Sequence, residues 1–217
     1  MSKLRTKTQV IDRIDGAFAR RLSELEYLKT IVFKSKGAAQ DSAARAAYPM
    51  VYAHWEGFIK DTTFAYLEYV TNVVGIKGLA KSKVLPSLIS GWAWQSGVKG
   101  ERPTLHTFME CTISTVFDVG AFPPMELAPI PRAQGIMDSQ LFKQLCRLIS
   151  LDYSHFATRE KFIDEILAKR RHQIVHGALD TVSANDFDSV RTEGLALMSQ
   201  YKNEIENLIA TDGFAVI

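Results

Sequence analysis

Residues 41–74 constrain the fold more than any other stretch of this 217-residue chain. Tyr48, Met50, Val51, Trp55, Phe58, Ile59, Phe64, Tyr66, Leu67, Tyr69 and Val70 keep helical spacing but spread around most of the cylinder. A helix that is apolar on most sides is stable only if other elements cover most sides, so this one belongs at the centre of the molecule. Asp41 or Ser42 supplies a cap for its first amides. Pro49 is a candidate kink, because its ring removes an amide donor and clashes with the preceding turn.

The covering elements are readable on both sides. From Leu4 to Lys36, the residues Val10, Ile11, Ile14, Phe18, Leu22, Leu25, Leu28 and Ile31 recur at steps of three and four, which predicts one long helix with a single apolar stripe. Gly16 interrupts it at a cost of about 1 kcal/mol against alanine, and Gly37 is a plausible stop. Later in the chain, helices are predicted from Asp138 or Ser139 to Leu151, from Thr158 to Gly177, and from Ser183 to Ala210. Ser183 and Asp186 have the spacing of a capping box, with aspartate in place of the usual glutamate or glutamine.

Between 75 and 135 glycines and prolines cluster, leaving room for short helices over 79–95 and 104–118 and for an extended run, AFPPMELAPIPRAQG. No segment alternates with period two and no internal repeat is visible. The expectation is an all-α, up-and-down helical bundle: a single domain over 1–217 with an irregular Gly/Pro-rich insertion at 75–135.

Apolar residues make up 47% of the chain and charged ones 23%, which argues for a packed core and against disorder. The formal net charge is only +2, so attraction to nucleic acid would have to come from a local patch. Cys111 and Cys146 fit no metal-binding spacing and sit among apolar neighbours, which reads as buried free thiols in a reducing cytoplasm. The start of the chain has no signal-peptide core, and no apolar run reaches spanning length, so no membrane span is expected.

The densest chemistry lies in KRRHQIVHG, Lys169–Gly177. Three readings compete. Cations near a helix C-terminus interact favourably with its exposed carbonyls, so the strip is explicable as a basic helix end. His172 and His176, four apart, share a helical face as two metal ligands should. A third ligand would have to be Asp180 or His155, and the adjacent Arg170 and Arg171 oppose a dication, so no metal and no other cofactor is expected. The third reading is RNA cleavage: a histidine moves protons while a guanidinium holds the phosphate and stabilises its developing charge. Residues five apart on a regular helix are separated by about 140°, so Arg171 and His176 do not converge within one straight helix. A twofold homodimer would bring two such strips to one cleft.

The run RHQIVHG, Arg171–Gly177, resembles the R-x4-6-H motif of HEPN domains, with His172 as the polar residue that often follows the arginine. The run YAHWEGFIKDTTFAYLEYV, Tyr52–Val70, is similar to the second helix of a bacterial HEPN-like nuclease subfamily with an HWEGF-type signature. The resemblance covers most of the chain. It implies a helical, homodimeric, metal-independent endoribonuclease of toxin–antitoxin or anti-phage systems, acting on RNA and paired with a cognate antitoxin or regulatory protein. By position, Arg171 and His176 are the implied catalytic residues and His172 the polar neighbour. Arg170 also satisfies the spacing and competes with Arg171, while Asp164 or Glu165 is a candidate to orient the arginine.

A different class remains open: a non-catalytic helical module that binds RNA, a nucleotide or a protein. His54, Trp55 and Glu56 read as structural, with Lys60 placed to pair with Glu56. His106 and His155 read as surface residues without partners. Trp92, Trp94, Tyr153 and Phe156 read as core more readily than as base-stacking platforms.

Overall fold

A computed structural model describes residues 4–79, 137–178 and 181–214, with side chains assigned through residue 73 of the first span. The predicted helices at 79–95 and 104–118, with Cys111, His106, Trp92, Trp94 and Asp180, lie outside these residues. The described residues are helical throughout, with no strand among them.

Helix α1 spans Lys7–Lys34. It starts later than the apolar pattern predicts because Thr6 closes a capping box: its hydroxyl accepts from the Gln9 amide, and the Gln9 side chain accepts from the Thr6 amide. Its buried side is Val10, Ile14, Ala17, Leu25 and Val32. Leu22 and Ile31, predicted on that stripe, are exposed. Gly37, at a φ of +57°, turns the chain directly into helix α2, Ala38–Leu79. Asp41 therefore sits in the first turn of α2 and does not cap it as expected.

Helix α2 is the central element. Tyr48, Val51, Tyr52, Trp55, Phe58, Ile59, Tyr66 and Val70 are almost wholly buried. Helix α1 and helix α5, Ala184–Ala210, pack on α2 and on each other. The Ser183–Asp186 capping box starts α5 as predicted. Its buried Arg191 pairs with Glu26 of α1 and with Asp188, so the one buried cation is neutralised where α1 and α5 meet.

A smaller set of elements closes the remaining side of α2. Helix α3, Ser139–Leu148, is capped by Asp138 and ends short of the predicted Leu151. Phe142 on α3 sits edge-on to Trp55, Tyr153 and Phe156, and the Tyr201 hydroxyl hydrogen-bonds Thr63 at the base of this cluster. Tyr153 and Phe156 are thus core residues. Cys146 is a buried free thiol, pushed up to about 12 by burial. No helix of the described residues is long and apolar enough to cross a membrane.

Two glycines separate packing from propensity. A Cβ at Gly194 of α5 would lie 2.7 Å from Val51 Cγ1, so this glycine permits the close approach of α5 and α2. A Cβ at Gly16 meets nothing within 4 Å. Gly194→Ala is expected to cost about 1–3 kcal/mol by overpacking, while Gly16→Ala should gain about 0.5–1 kcal/mol. Urea denaturation of both variants checks the opposite signs.

Candidate active site

The helix predicted over Thr158–Gly177 is not a single α-helix. A 3₁₀ segment, Tyr153–Arg159, leads into a π-helix, Phe162–Lys169, and only then into helix α4, Arg170–Val175. The sequence pattern missed this because apolar spacing reports which side is buried, not whether the ladder is i→i+4 or i→i+5. In the wide turn the Arg170 amide donates to the Glu165 carbonyl, five residues back. Where π spacing gives way to α spacing, one carbonyl loses its amide partner. At this junction the Tyr48 hydroxyl donates to the Ile166 carbonyl at 3.0 Å, fastening the strip to α2.

One turn along α2 from Tyr48, the Tyr52 hydroxyl accepts from the Met137 amide at 2.6 Å. Burial pushes both phenols up to about 12, so they serve as neutral hydrogen-bonding groups. Their rings make a platform for the two arginines. The Arg170 guanidinium carbon lies 5.1 Å from the Tyr48 ring centroid, and that of Arg171 lies 5.1 Å from the Tyr52 centroid.

The competition between these arginines has a structural counterpart. Arg170 also pairs with Asp186, at 3.5 Å, tying α4 to the cap of α5. Asp186 is held below the usual carboxylate range, first by its hydrogen bond to Ser183 and also by Arg170. Arg171 has no hydrogen bond or ion pair among the described residues. Neither Asp164 nor Glu165 orients either arginine, contrary to expectation. Asp164 accepts from the Ser139 amide and hydroxyl at 2.7 and 2.8 Å, helping to cap α3. Glu165 pairs with Lys169 at 2.7 Å. Asp186 and the two tyrosines were missed as neighbours of the strip, since they come from distant sequence. The four-residue step from Tyr48 to Tyr52 was the available signal.

His172 and His176 share a face as their spacing predicts, with ring centroids 4.2 Å apart. Both are exposed, and neither ring has a hydrogen bond or ion pair among the described residues. No group of three or more His, Cys, Asp or Glu side chains suited to a metal occurs among those residues. His155 lies elsewhere and, contrary to expectation, has a partner, with Nδ1 3.0 Å from Glu204. His54 is also remote from the strip; burial lowers its pKa and its Nε2 lies 3.5 Å from Glu24. Glu56 pairs with Lys60 as expected, whereas the buried Trp55 Nε1 finds no hydrogen-bond partner among the described residues.

His176 is held at the helix end by a Schellman cap. The Gly177 amide donates to the Ile174 carbonyl at 3.2 Å, and the Ala178 amide to the Gln173 carbonyl at 2.8 Å. Gly177 adopts a φ of +74°, which only glycine takes without strain. Arg171 and His176 do not touch one another in the chain: one lies over Tyr52, the other beside His172. Gly177→Ala should therefore destabilise the protein by about 1 kcal/mol. Amide exchange at 174–178 should accelerate more than exchange in α2 or α5, which hydrogen-exchange measurement would show.

No curated protein and no solved structure matches the chain. A family model described as MAE_28990-like HEPN matches residues 10–214, a span that takes in both helical halves and the segment between them. With nearly the whole sequence matched and an all-α structure beneath it, the chain belongs to the HEPN domain family.

Proposed function

We propose that the protein is a metal-independent endoribonuclease, acting in the cytoplasm as a homodimer whose two Arg171–His176 strips share one cleft. The HEPN family generally includes ribonucleases. The observation that carries the reading for this chain is the contrast within the strip. Lys169 and Arg170 are neutralised by carboxylates of the same protein, while Arg171, His172 and His176 have no such partner among the described residues. Unpaired donors gathered at a helix end, beside exposed imidazoles, suit a polyanion that passes over them.

The chemistry is a transesterification. The ribose 2′-oxygen attacks the adjacent phosphorus as a histidine removes its proton. The phosphorus–O5′ bond breaks, and a second proton donor, the same residue of the other subunit, protonates the departing O5′. Products are a 2′,3′-cyclic phosphate and a 5′-hydroxyl. Arg171 holds the non-bridging oxygens as charge accumulates on them. Two copies of the strip are needed because Arg171 and His176 lie apart within one chain and acid and base roles call for two histidines. In this reading the protein is a toxin or anti-phage effector, restrained by an antitoxin or regulatory protein.

Purified protein should cleave single-stranded RNA in the presence of EDTA. Arg171→Ala and His176→Ala should each lower kcat by about 10²–10⁴ with an unchanged unfolding midpoint. Arg170→Ala should instead lose about 1 kcal/mol of stability with its pair and its ring contact. Cleavage that requires Mg²⁺ and survives the Arg171 and His176 substitutions would overturn the mechanism. RNA binding without cleavage by the wild type would make the protein a binding module.

A further inference from the structure

Helix α4 runs antiparallel along the first half of α2. Arg170 and Arg171 lie over Tyr48 and Tyr52, and the next turn, Ile174 and Val175, reaches back to Arg45 and Pro49. There the two helices enclose an open cavity of about 410 Å³, lined by Asp41, Ser42, Arg45, Pro49, Ile174 and Val175 among others. Val175 immediately precedes His176, so the cavity adjoins the strip.

Three features of its lining are unexplained by the fold. The Arg45 Nε is sealed from solvent without a hydrogen-bond partner, and no carboxylate pairs with that guanidinium among the described residues. A polar group left in this state is costly unless something else satisfies it. Pro49 has no amide hydrogen, so the Arg45 carbonyl four residues earlier receives no helical hydrogen bond and is a free acceptor. Val175 is 54% exposed, a large apolar side chain in water at the mouth of a polar cavity.

We infer that this cavity is a nucleotide subsite, taking an unpaired base of the RNA next to the scissile bond. Arg45 holds the phosphate of that nucleotide through its planar fork of donors. Pro49, Ile174 and Val175 receive the face of the base. Asp41, Ser42 and the free Arg45 carbonyl accept from the N–H groups on its edge, which is how proteins read bases splayed out of single strands. A carboxylate at the base edge favours bases that present donors there, so Asp41 is a determinant of where the RNA is cut.

The inference rests on the ribonuclease reading, and its test keeps the two apart. The probe is a set of short single-stranded oligoribonucleotides of defined sequence. Arg45→Met keeps the stem and removes the charge. It should raise KM about tenfold or more with little change in kcat, unfolding midpoint or oligomeric state. Asp41→Asn should redistribute the cut sites among sequences without abolishing cleavage. Wild-type KM and cut sites in both variants would overturn the subsite. So would a shift of Arg45→Met to monomer with unaltered KM in the remaining dimer, which would assign the cavity to contact between two copies. If the wild type cleaves none of the oligomers, the ribonuclease reading fails, and their equilibrium binding still decides the subsite. Affinity lost in Arg45→Met supports it; equal affinity overturns it.

Discussion

A helix that is apolar on nearly every side must be covered on nearly every side, and α2 imposes that demand here. Helices α1 and α5 bury one half of it, packed closely enough that Gly194 leaves no room for a Cβ against Val51. The Phe142 cluster, the π-helix and α4 bury the rest. The position of the chemistry follows from this packing. Tyr48 and Tyr52, on the half of α2 that faces α4, each bind a backbone group of a covering element and each present a ring to an arginine. The same two side chains set the register of α4 and hold the guanidinium groups.

The strip itself is shaped at both ends. Upstream, the π-helix shifts the hydrogen-bond ladder just before Arg170, and the Tyr48 hydroxyl meets a carbonyl at that junction. Downstream, Gly177 ends the helix one residue after the last α4 turn, leaving His176 exposed beside His172. Between these fixed ends the structure neutralises Arg170 and leaves Arg171 without a carboxylate. Positive charge held without an internal counterion is available to a polyanionic ligand, and Arg45, on the neighbouring turn of α2, extends that unpaired charge away from the strip.

Much of this was legible in the residues. The all-round apolar character of 41–74 located the central helix, Ser183 with Asp186 located the start of α5, and the four-residue step placed His172 beside His176. Thr6 with Gln9 was an equally clear capping box, and it sets the start of α1 where apolar periodicity alone overshoots. The π-helix was not readable, since its apolar residues serve either ladder. Nor was the fate of the carboxylates. Asp164 is one turn from Arg170 in sequence but caps α3, while Asp186, sixteen residues beyond Arg170 in the chain, is the group that pairs with it. Local spacing identifies which groups can meet along one helix. Which acid reaches which base across helices is decided by packing.

The central claim is that one site is built from two chains. It is tested most directly by a heterodimer, separately tagged and purified, that joins a wild-type chain to one carrying both Arg171→Ala and His176→Ala. The measured quantity is the RNA-cleavage rate per dimer. A shared cleft needs a histidine from each chain for acid and base, so the rate should fall at least about tenfold below that of the wild-type dimer. A heterodimer that retains half the wild-type rate would show that each chain carries a complete site of its own, and would contradict the account.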